Sequence, residues 1–100
     1  MSGTRQENLF EGIDARRGDL VQLTRELIAM PTLNPPGQGY LVICEYLQRR
    51  LAKSGFETEL IRAEGAPGDS DRYPRWNIVA LREGTRPGEC MHFNSHTDVV

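Results

Sequence analysis

A proline-rich turn most constrains the fold of this chain. Residues 31–37 read Pro-Thr-Leu-Asn-Pro-Pro-Gly, in which the prolines fix φ and lack a backbone N–H, while the final glycine allows a positive φ. A helix cannot pass through this run, because proline also disfavours helix at the residue before it. The turn therefore separates two segments that must fold as distinct elements.

Both segments beside the turn have the apolar spacing of amphipathic helices. The first extends from about residue 9 to residue 30 and ends because Pro31 cannot continue a helix. The second ends at Lys53-Ser54-Gly55, which supplies a basic last turn and a left-handed cap. Its apolar positions recur every three or four residues and are Tyr40, Ile43, Cys44, Leu47 and Leu51.

The rest of the chain alternates between strand-like and loop-like stretches. Residues 56–62 alternate in polarity, as in a strand with one wetter face, and residues 64–74 form a polar surface loop. Residues 76–81 and 89–94 flank the turn-forming segment 82–88, so we expect them to pair as antiparallel strands. The sequence therefore predicts an α/β fold with two helices followed by strands.

Composition excludes several classes of partner. The chain has 100 residues and a formal net charge of −2, which gives no field that would attract nucleic acid or an anionic membrane. No apolar stretch approaches a membrane span or a signal-peptide core, so we expect a cytoplasmic protein. Cys44 and Cys90 lie far apart and lack a CxxC pattern, which favours buried free thiols over a disulfide.

His96-Thr97-Asp98 is the strongest candidate for a chemical site. Residues i and i+2 of an extended segment point to the same side, so His96 and Asp98 face one space after the apolar run 91–95. Imidazole is a common zinc ligand, and a nearby carboxylate accepts the proton of its second ring nitrogen and fixes the tautomer. The pair supplies only half of a metal site, because zinc takes about three or four protein ligands.

Other residues near these motifs have plainer interpretations. His92 precedes His96 on the same predicted strand, and we expect it to be packed or hydrogen-bonded deeper on the same face. Asn34 is interpreted as part of a structural turn rather than as a substrate contact. Trp76 opens a strand, where an indole usually lies in a core or an interface.

Three stretches match, in order, the motifs of one enzyme family. Residues 31–37 match a Pro-Ser/Thr-x-Asn-Pro-Pro-Gly turn, residues 76–80 an Asn-Leu-Val-Ala strand, and residues 95–100 a Gly/Ser-His-x-Asp-Val-Val-Pro metal motif. The set resembles the amino-terminal part of the zinc-dependent aminoacylase and carboxypeptidase family, which includes acetylornithine deacetylase, succinyl-diaminopimelate desuccinylase and glutamate carboxypeptidase. The resemblance begins at about Asp19.

The resemblance implies a domain and a role for the motif residues. Residues 1–100 would form the amino-terminal segment of a metallohydrolase catalytic domain with an incomplete α/β/α zinc-hydrolase fold, and we expect residues 1–12 to be disordered. His96 would bind one zinc ion of a two-metal site, in which Co²⁺ or Mn²⁺ can replace Zn²⁺. Asp98 would be the catalytic carboxylate that orients His96 and tunes the metal-bound water. The family's other ligands and its general base lie downstream, so the segment alone is expected to be inactive.

The resemblance also implies a reaction class. The expected enzyme is a homodimer that hydrolyses the amide or peptide C–N bond of a small, carboxylate-bearing N-acyl amino acid or peptide. One alternative is an enzyme of the same family that cleaves another C–N bond, such as a deaminase. Another is a non-catalytic α/β module that binds a partner through its unpaired sheet edge. The apolar pair Val99-Val100 disfavours this module, because a small domain is expected to end on polar residues.

Overall fold

The computed structural model describes residues 3–100 and contains three helices, one of which packs on a small sheet. The elements are α1 (Arg5–Ala15), α2 (Arg17–Ala29), α3 (Tyr40–Lys53), β1 (Glu57–Arg62) and β2 (Trp76–Leu81). The two strands pair antiparallel, with Glu57 opposite Leu81 and Arg62 opposite Trp76. α3 packs on both strands. These elements are consistent with a small α/β unit.

The predicted first helix is two helices. The chain leaves helical geometry at Arg16, where φ is −101° and ψ is 13°, and α2 begins at the next residue. Residues 5–12 were expected to be disordered, and they form most of α1 instead. The reason is local, because Thr4 and Glu7 make a reciprocal capping box that satisfies free N–H groups at the start of α1. Residues 1 and 2 lie outside the described residues.

α3 provides the buried core, and its bounds agree with the predicted second helix. Tyr40, Ile43 and Cys44 are buried on one face of α3, at the apolar spacing seen in the sequence. Burial alternates along β1 and β2, so each strand has one face toward α3 and one toward solvent. The prediction of a strand with one wetter face is confirmed.

The predicted strand at residues 89–94 does not form. Residues 82–98 lie in no helix or strand, and β2 pairs with β1 instead. A strand needs a partner edge and a layer to cover its apolar face, and Met91 and Phe93 are 78% and 82% exposed. The expectation that His92 packs on the face of this strand is wrong for the same reason, since His92 is exposed.

A short parallel bridge joins the proline turn to the last residues of the chain. Asn34 N donates to Val99 O at 2.8 Å, and Val99 N donates to Thr32 O at 3.0 Å. The buried Thr32 side chain adds a third bond, because its hydroxyl donates to Thr97 O at 2.8 Å. These bonds place Asp98 beside the turn and the start of α3.

Two further predictions from composition can be compared with the structure. Cys44 and Cys90 are both free, as expected, but only Cys44 is buried and Cys90 is exposed. Cys90 is exposed because it lies in segment 82–98, which forms no layer of the fold. Among residues 3–100, no helix has the length and apolar character needed to span a membrane.

Candidate functional site

The structure brings His96 and Asp98 together, although neither lies in a regular strand. Asp98 Oδ1 lies 2.8 Å from His96 Nδ1, and the Asp98 backbone oxygen lies 3.1 Å from the same nitrogen. With Nδ1 protonated, His96 donates to Asp98, and Nε2 keeps its lone pair on a side chain that is 82% exposed. This is the arrangement in which a carboxylate orients an imidazole ligand.

The second oxygen of Asp98 accepts two further hydrogen bonds. Asn34 Nδ2 donates to Asp98 Oδ2 at 3.0 Å, and Tyr40 OH donates to the same oxygen at 3.2 Å. The Asn34 amide contributes most to holding the pKa of Asp98 below its usual value, and the bonds from His96 and Tyr40 act in the same direction. Asp98 is therefore a charged acceptor at neutral pH.

Arg75 lies behind the two donors. Its Nη1 donates to Tyr40 OH at 2.7 Å, and its Nη2 donates to Asn34 Oδ1 at 3.1 Å. Its guanidinium carbon also lies 5.2 Å from the centre of the Tyr40 ring. Arg75 Nε is buried without a hydrogen-bond partner among residues 3–100, so the two Nη atoms and the ring contact hold the guanidinium. We call Asn34, Tyr40 and Arg75 the Asp98 support.

Each member of the Asp98 support is positioned by a different part of the fold. Asn34 belongs to the proline turn, which the bridge to Val99 fixes in place. Tyr40 is the first residue of α3, where burial raises the pKa of its hydroxyl and keeps it protonated as a donor. Arg75 directly precedes β2, and its backbone oxygen accepts from Ala63 N at 2.8 Å.

Asp69 organises the loop that leads to Arg75. Its side chain is only 4% exposed, and it accepts from Arg75 N at 2.9 Å and Gly65 N at 3.0 Å. Its other partner is Arg62, whose guanidinium lies 3.3 Å from the carboxylate. The backbone bond from Arg75 is the main reason that the pKa of Asp69 lies below its usual value. The predicted surface loop is thus ordered around one buried carboxylate.

Sequence reasoning missed the Asp98 support. Asn34 was interpreted as a turn residue and Tyr40 as a core residue, and both also donate to Asp98. A polar side chain within a rigid proline turn was the available signal for Asn34. No local pattern could indicate Arg75, because 41 residues separate it from Asn34 and 35 from Tyr40.

The described residues fit a metal ion as one ligand and its supporting carboxylate. Within residues 3–100, no group of three His, Cys, Asp or Glu side chains is placed to hold a metal ion. His96 fits the role of one ligand, because Asp98 accepts a hydrogen bond from its Nδ1 and the lone pair of Nε2 stays available on an exposed ring. The roles of His96 and Asp98 toward a metal therefore stay predictions, and further ligands would have to come from outside these residues.

Comparison with known proteins identifies relatives of this chain. It is 34% identical over 82 residues to the succinyl-diaminopimelate desuccinylase of Cereibacter sphaeroides, a match that covers 82% of the chain and 18% of that protein. It is 38% identical over 82 residues to the succinyl-diaminopimelate desuccinylase of Variovorax paradoxus, with 80% and 19% covered. The chain thus spans less than a fifth of the length of either relative. No protein-family model and no solved structure matches it. The relatives confirm the resemblance that the three motifs indicated, to the family that includes the succinyl-diaminopimelate desuccinylases.

Proposed function

We propose that the protein containing these residues is a metal-dependent hydrolase that cleaves the amide C–N bond of a small, carboxylate-bearing substrate. One observation carries the proposal, the 2.8 Å contact between Asp98 Oδ1 and His96 Nδ1 on an exposed imidazole. The similarity to two proteins named as desuccinylases supports it. Their names favour an N-succinyl amino acid as the substrate type, within the broader class of N-acyl amino acids and peptides.

The residues of the site have distinct proposed roles. His96 binds a metal ion through Nε2, and Asp98 holds the Nδ1 proton, which fixes the tautomer and raises the basicity of the ligand. Asn34 and Tyr40 keep Asp98 in place through their bonds to Oδ2. When bound, zinc supplies Lewis acidity, which polarises a carbonyl and makes water a better nucleophile near neutral pH.

The rest of the proposal concerns what lies beyond the described residues. The site takes two ions, zinc or in its place cobalt or manganese, and the other ligands and the general base come from elsewhere in the protein. The incomplete α/β/α catalytic domain, a homodimer and a cytoplasmic location belong to the same proposal.

The test compares the two histidines in the longest natural form of the protein. His96→Ala is expected to remove most of the bound zinc and most of the hydrolysis of an N-succinyl amino acid. His92→Ala is the matched control, because an exposed side chain outside the site should change stability by at most about 0.5 kcal/mol and leave zinc in place. Elemental analysis measures the bound zinc, and the release of succinate measures the hydrolysis. Equal zinc content in the two variants would refute the role of His96. Release of ammonia from a substrate with a free C–NH₂ group, without release of succinate from the N-succinyl amino acid, would favour the deaminase.

The 100-residue chain provides a second test. We expect it to have no hydrolase activity, because its described residues offer one imidazole ligand and a zinc hydrolase uses about three protein ligands. Turnover by the purified chain that a chelator abolishes would contradict this expectation.

A further inference from the structure

Arg75 sets the direction of both hydrogen bonds that reach Asp98 Oδ2. A guanidinium can only donate, so the bond from Arg75 Nη1 makes the Tyr40 oxygen an acceptor and leaves its proton for Asp98. The bond from Arg75 Nη2 to Asn34 Oδ1 selects the amide orientation in which Nδ2 points to the carboxylate. One cation thus orients two donors toward one acceptor.

We propose that Arg75 is a positioning residue of the site, which acts through Asn34 and Tyr40 to hold Asp98 in the orientation that keeps His96 as the Nδ1–H tautomer. This tautomer leaves the Nε2 lone pair available to a metal ion, and that part of the inference rests on the proposed function. Among residues 3–100, Asn34 Oδ1 has no other hydrogen-bond partner than Arg75. Without Arg75 the amide can flip and the Tyr40 hydroxyl can rotate away from Asp98.

The guanidinium lies in a space that two glycines leave open. A Cβ atom at Gly37 would lie 3.0 Å from Arg75 Cζ, and a Cβ atom at Gly68 would lie 3.0 Å from the same carbon and closer still to Nη2. Gly65, in the same loop as Gly68, also has a positive φ but has open space around its Cβ position. Gly68→Ala therefore displaces Arg75, while Gly65→Ala imposes a similar backbone strain without that displacement.

The measurement is the tautomer of His96 in the metal-free 100-residue chain, read from its ¹⁵N ring shifts at about pH 8.5, where imidazole is neutral. The chain has two histidines, and the exposed His92 reports the unbiased tautomer mixture. We expect His96 to be mainly Nδ1–H in the wild type and to move toward the His92 pattern in Arg75→Met. Arg82→Met is the matched control, because Arg82 bonds Ser54 O at 3.1 Å and lies over Phe56, away from Asp98.

A purely structural role for Arg75 would lower the folded fraction without changing the tautomer of the folded protein. If Arg75→Met fails to fold, Gly68→Ala and Tyr40→Phe test the same network, and both should move His96 toward the His92 pattern. Gly65→Ala should keep the wild-type tautomer. A wild-type His96 that already matches His92, or an unchanged His96 in folded Arg75→Met or Gly68→Ala, would overturn the proposal.

A second readout separates this proposal from the proposed function. In the longest natural form, Arg75→Met should weaken zinc affinity by about 10-fold, the low end for groups that support a ligand indirectly. Absence of zinc binding by the wild type would remove the proposed function, yet the tautomer difference would still identify Arg75 as a positioning residue. If the wild type binds zinc but its His96 tautomer does not change in Arg75→Met, the positioning role of Arg75 is refuted and the proposed function is not.

Discussion

The Asp98 support and segment 82–96 lie on either side of the contact between Asp98 and His96, and they differ in almost every physical respect. In the support, Arg75 donates to Asn34 and Tyr40, and these two donate to one charged acceptor. Segment 82–96 is exposed throughout and forms no helix or strand. The groups that orient the His96 ring therefore belong to an ordered hydrogen-bond network, whereas the chain around the ring has no packed surroundings among the described residues.

The difference follows from what each region needs in order to be ordered. Apart from Arg75 Nε, the polar side-chain atoms of the Asp98 support are paired as donors and acceptors, and they come from three short stretches of chain brought together at one end of α3. The apolar side chains Met91 and Phe93 need a covering layer, and the described residues provide none. The hydrogen bonds of the Asp98 support thus order that region, whereas residues 89–94 lack the apolar burial that a further strand of the sheet would need.

The largest effect should come from the core that supports the site. Ile43 is 3% exposed, and Ile43→Ala is expected to cost about 2–5 kcal/mol, because it leaves a cavity between α3 and the sheet. Phe93→Ala, in the exposed segment, should change the free energy of unfolding by no more than about 0.5 kcal/mol. Urea denaturation measures the free energy of unfolding of both variants, and an m-value equal to that of the wild type makes the values comparable. Similar costs for the two would mean that segment 82–96 packs in solution as the core does.

The next effect concerns catalysis in the longest natural form. Asp98→Asn should keep the fold and lower turnover by about 10- to 100-fold at saturating zinc, because an amide is neutral and cannot accept at both Oδ positions. The donors Asn34 and Tyr40 would then face an NH₂ group or force the His96 bond to break. Glu59→Gln, an exposed change on β1, is the control for charge alone. Wild-type turnover in Asp98→Asn would show that Asp98 has no part in catalysis.

A smaller effect on folding stability should come from the parallel bridge between the proline turn and Val99. Thr32→Val removes the buried hydroxyl that donates to Thr97 O, which should cost about 1 kcal/mol of folding stability. Thr24→Val removes an equivalent bond to Leu20 O on an exposed helix turn and should cost less. Thermal unfolding of the two variants provides the comparison. An equal loss would indicate that the bridge to Val99 does not depend on Thr32.

The smallest effect should be a pH dependence of folding stability, seen as a stability difference at neutral pH that narrows in acid. The pKa of Asp69 is lowered in the folded chain, so its contribution to stability is present above the unfolded pKa of about 3.9 and is lost as pH falls through the lower folded value. Asp69→Asn should therefore be less stable than the wild type at neutral pH, and the difference should narrow below about pH 4. Asp71→Asn is the control, because Asp71 also pairs with Arg62 but is fully exposed. A stability difference between wild type and Asp69→Asn that is independent of pH would contradict this account.

The sequence by itself determined the elements whose signals are local. The apolar spacing and the Lys53-Ser54-Gly55 end gave the bounds of α3, polarity alternation indicated β1, and the turn-forming segment 82–88 marked the end of β2. The i, i+2 spacing anticipated the contact between His96 and Asp98, and the three motifs pointed to the desuccinylase relatives. Each of these signals lies within a few residues of chain, where backbone geometry alone relates one side chain to the next.

Only the tertiary structure decided which distant groups meet. It paired β2 with β1 rather than with residues 89–94, because a strand's partner depends on which edge is within reach and not on its own pattern. It also brought the Asn34 side chain to Asp98, which lies 64 residues away in the sequence, and to Arg75, which lies 41 residues away. Hydrogen bonds between such distant residues leave no periodic trace in the sequence, since they depend on the path of the whole chain between them.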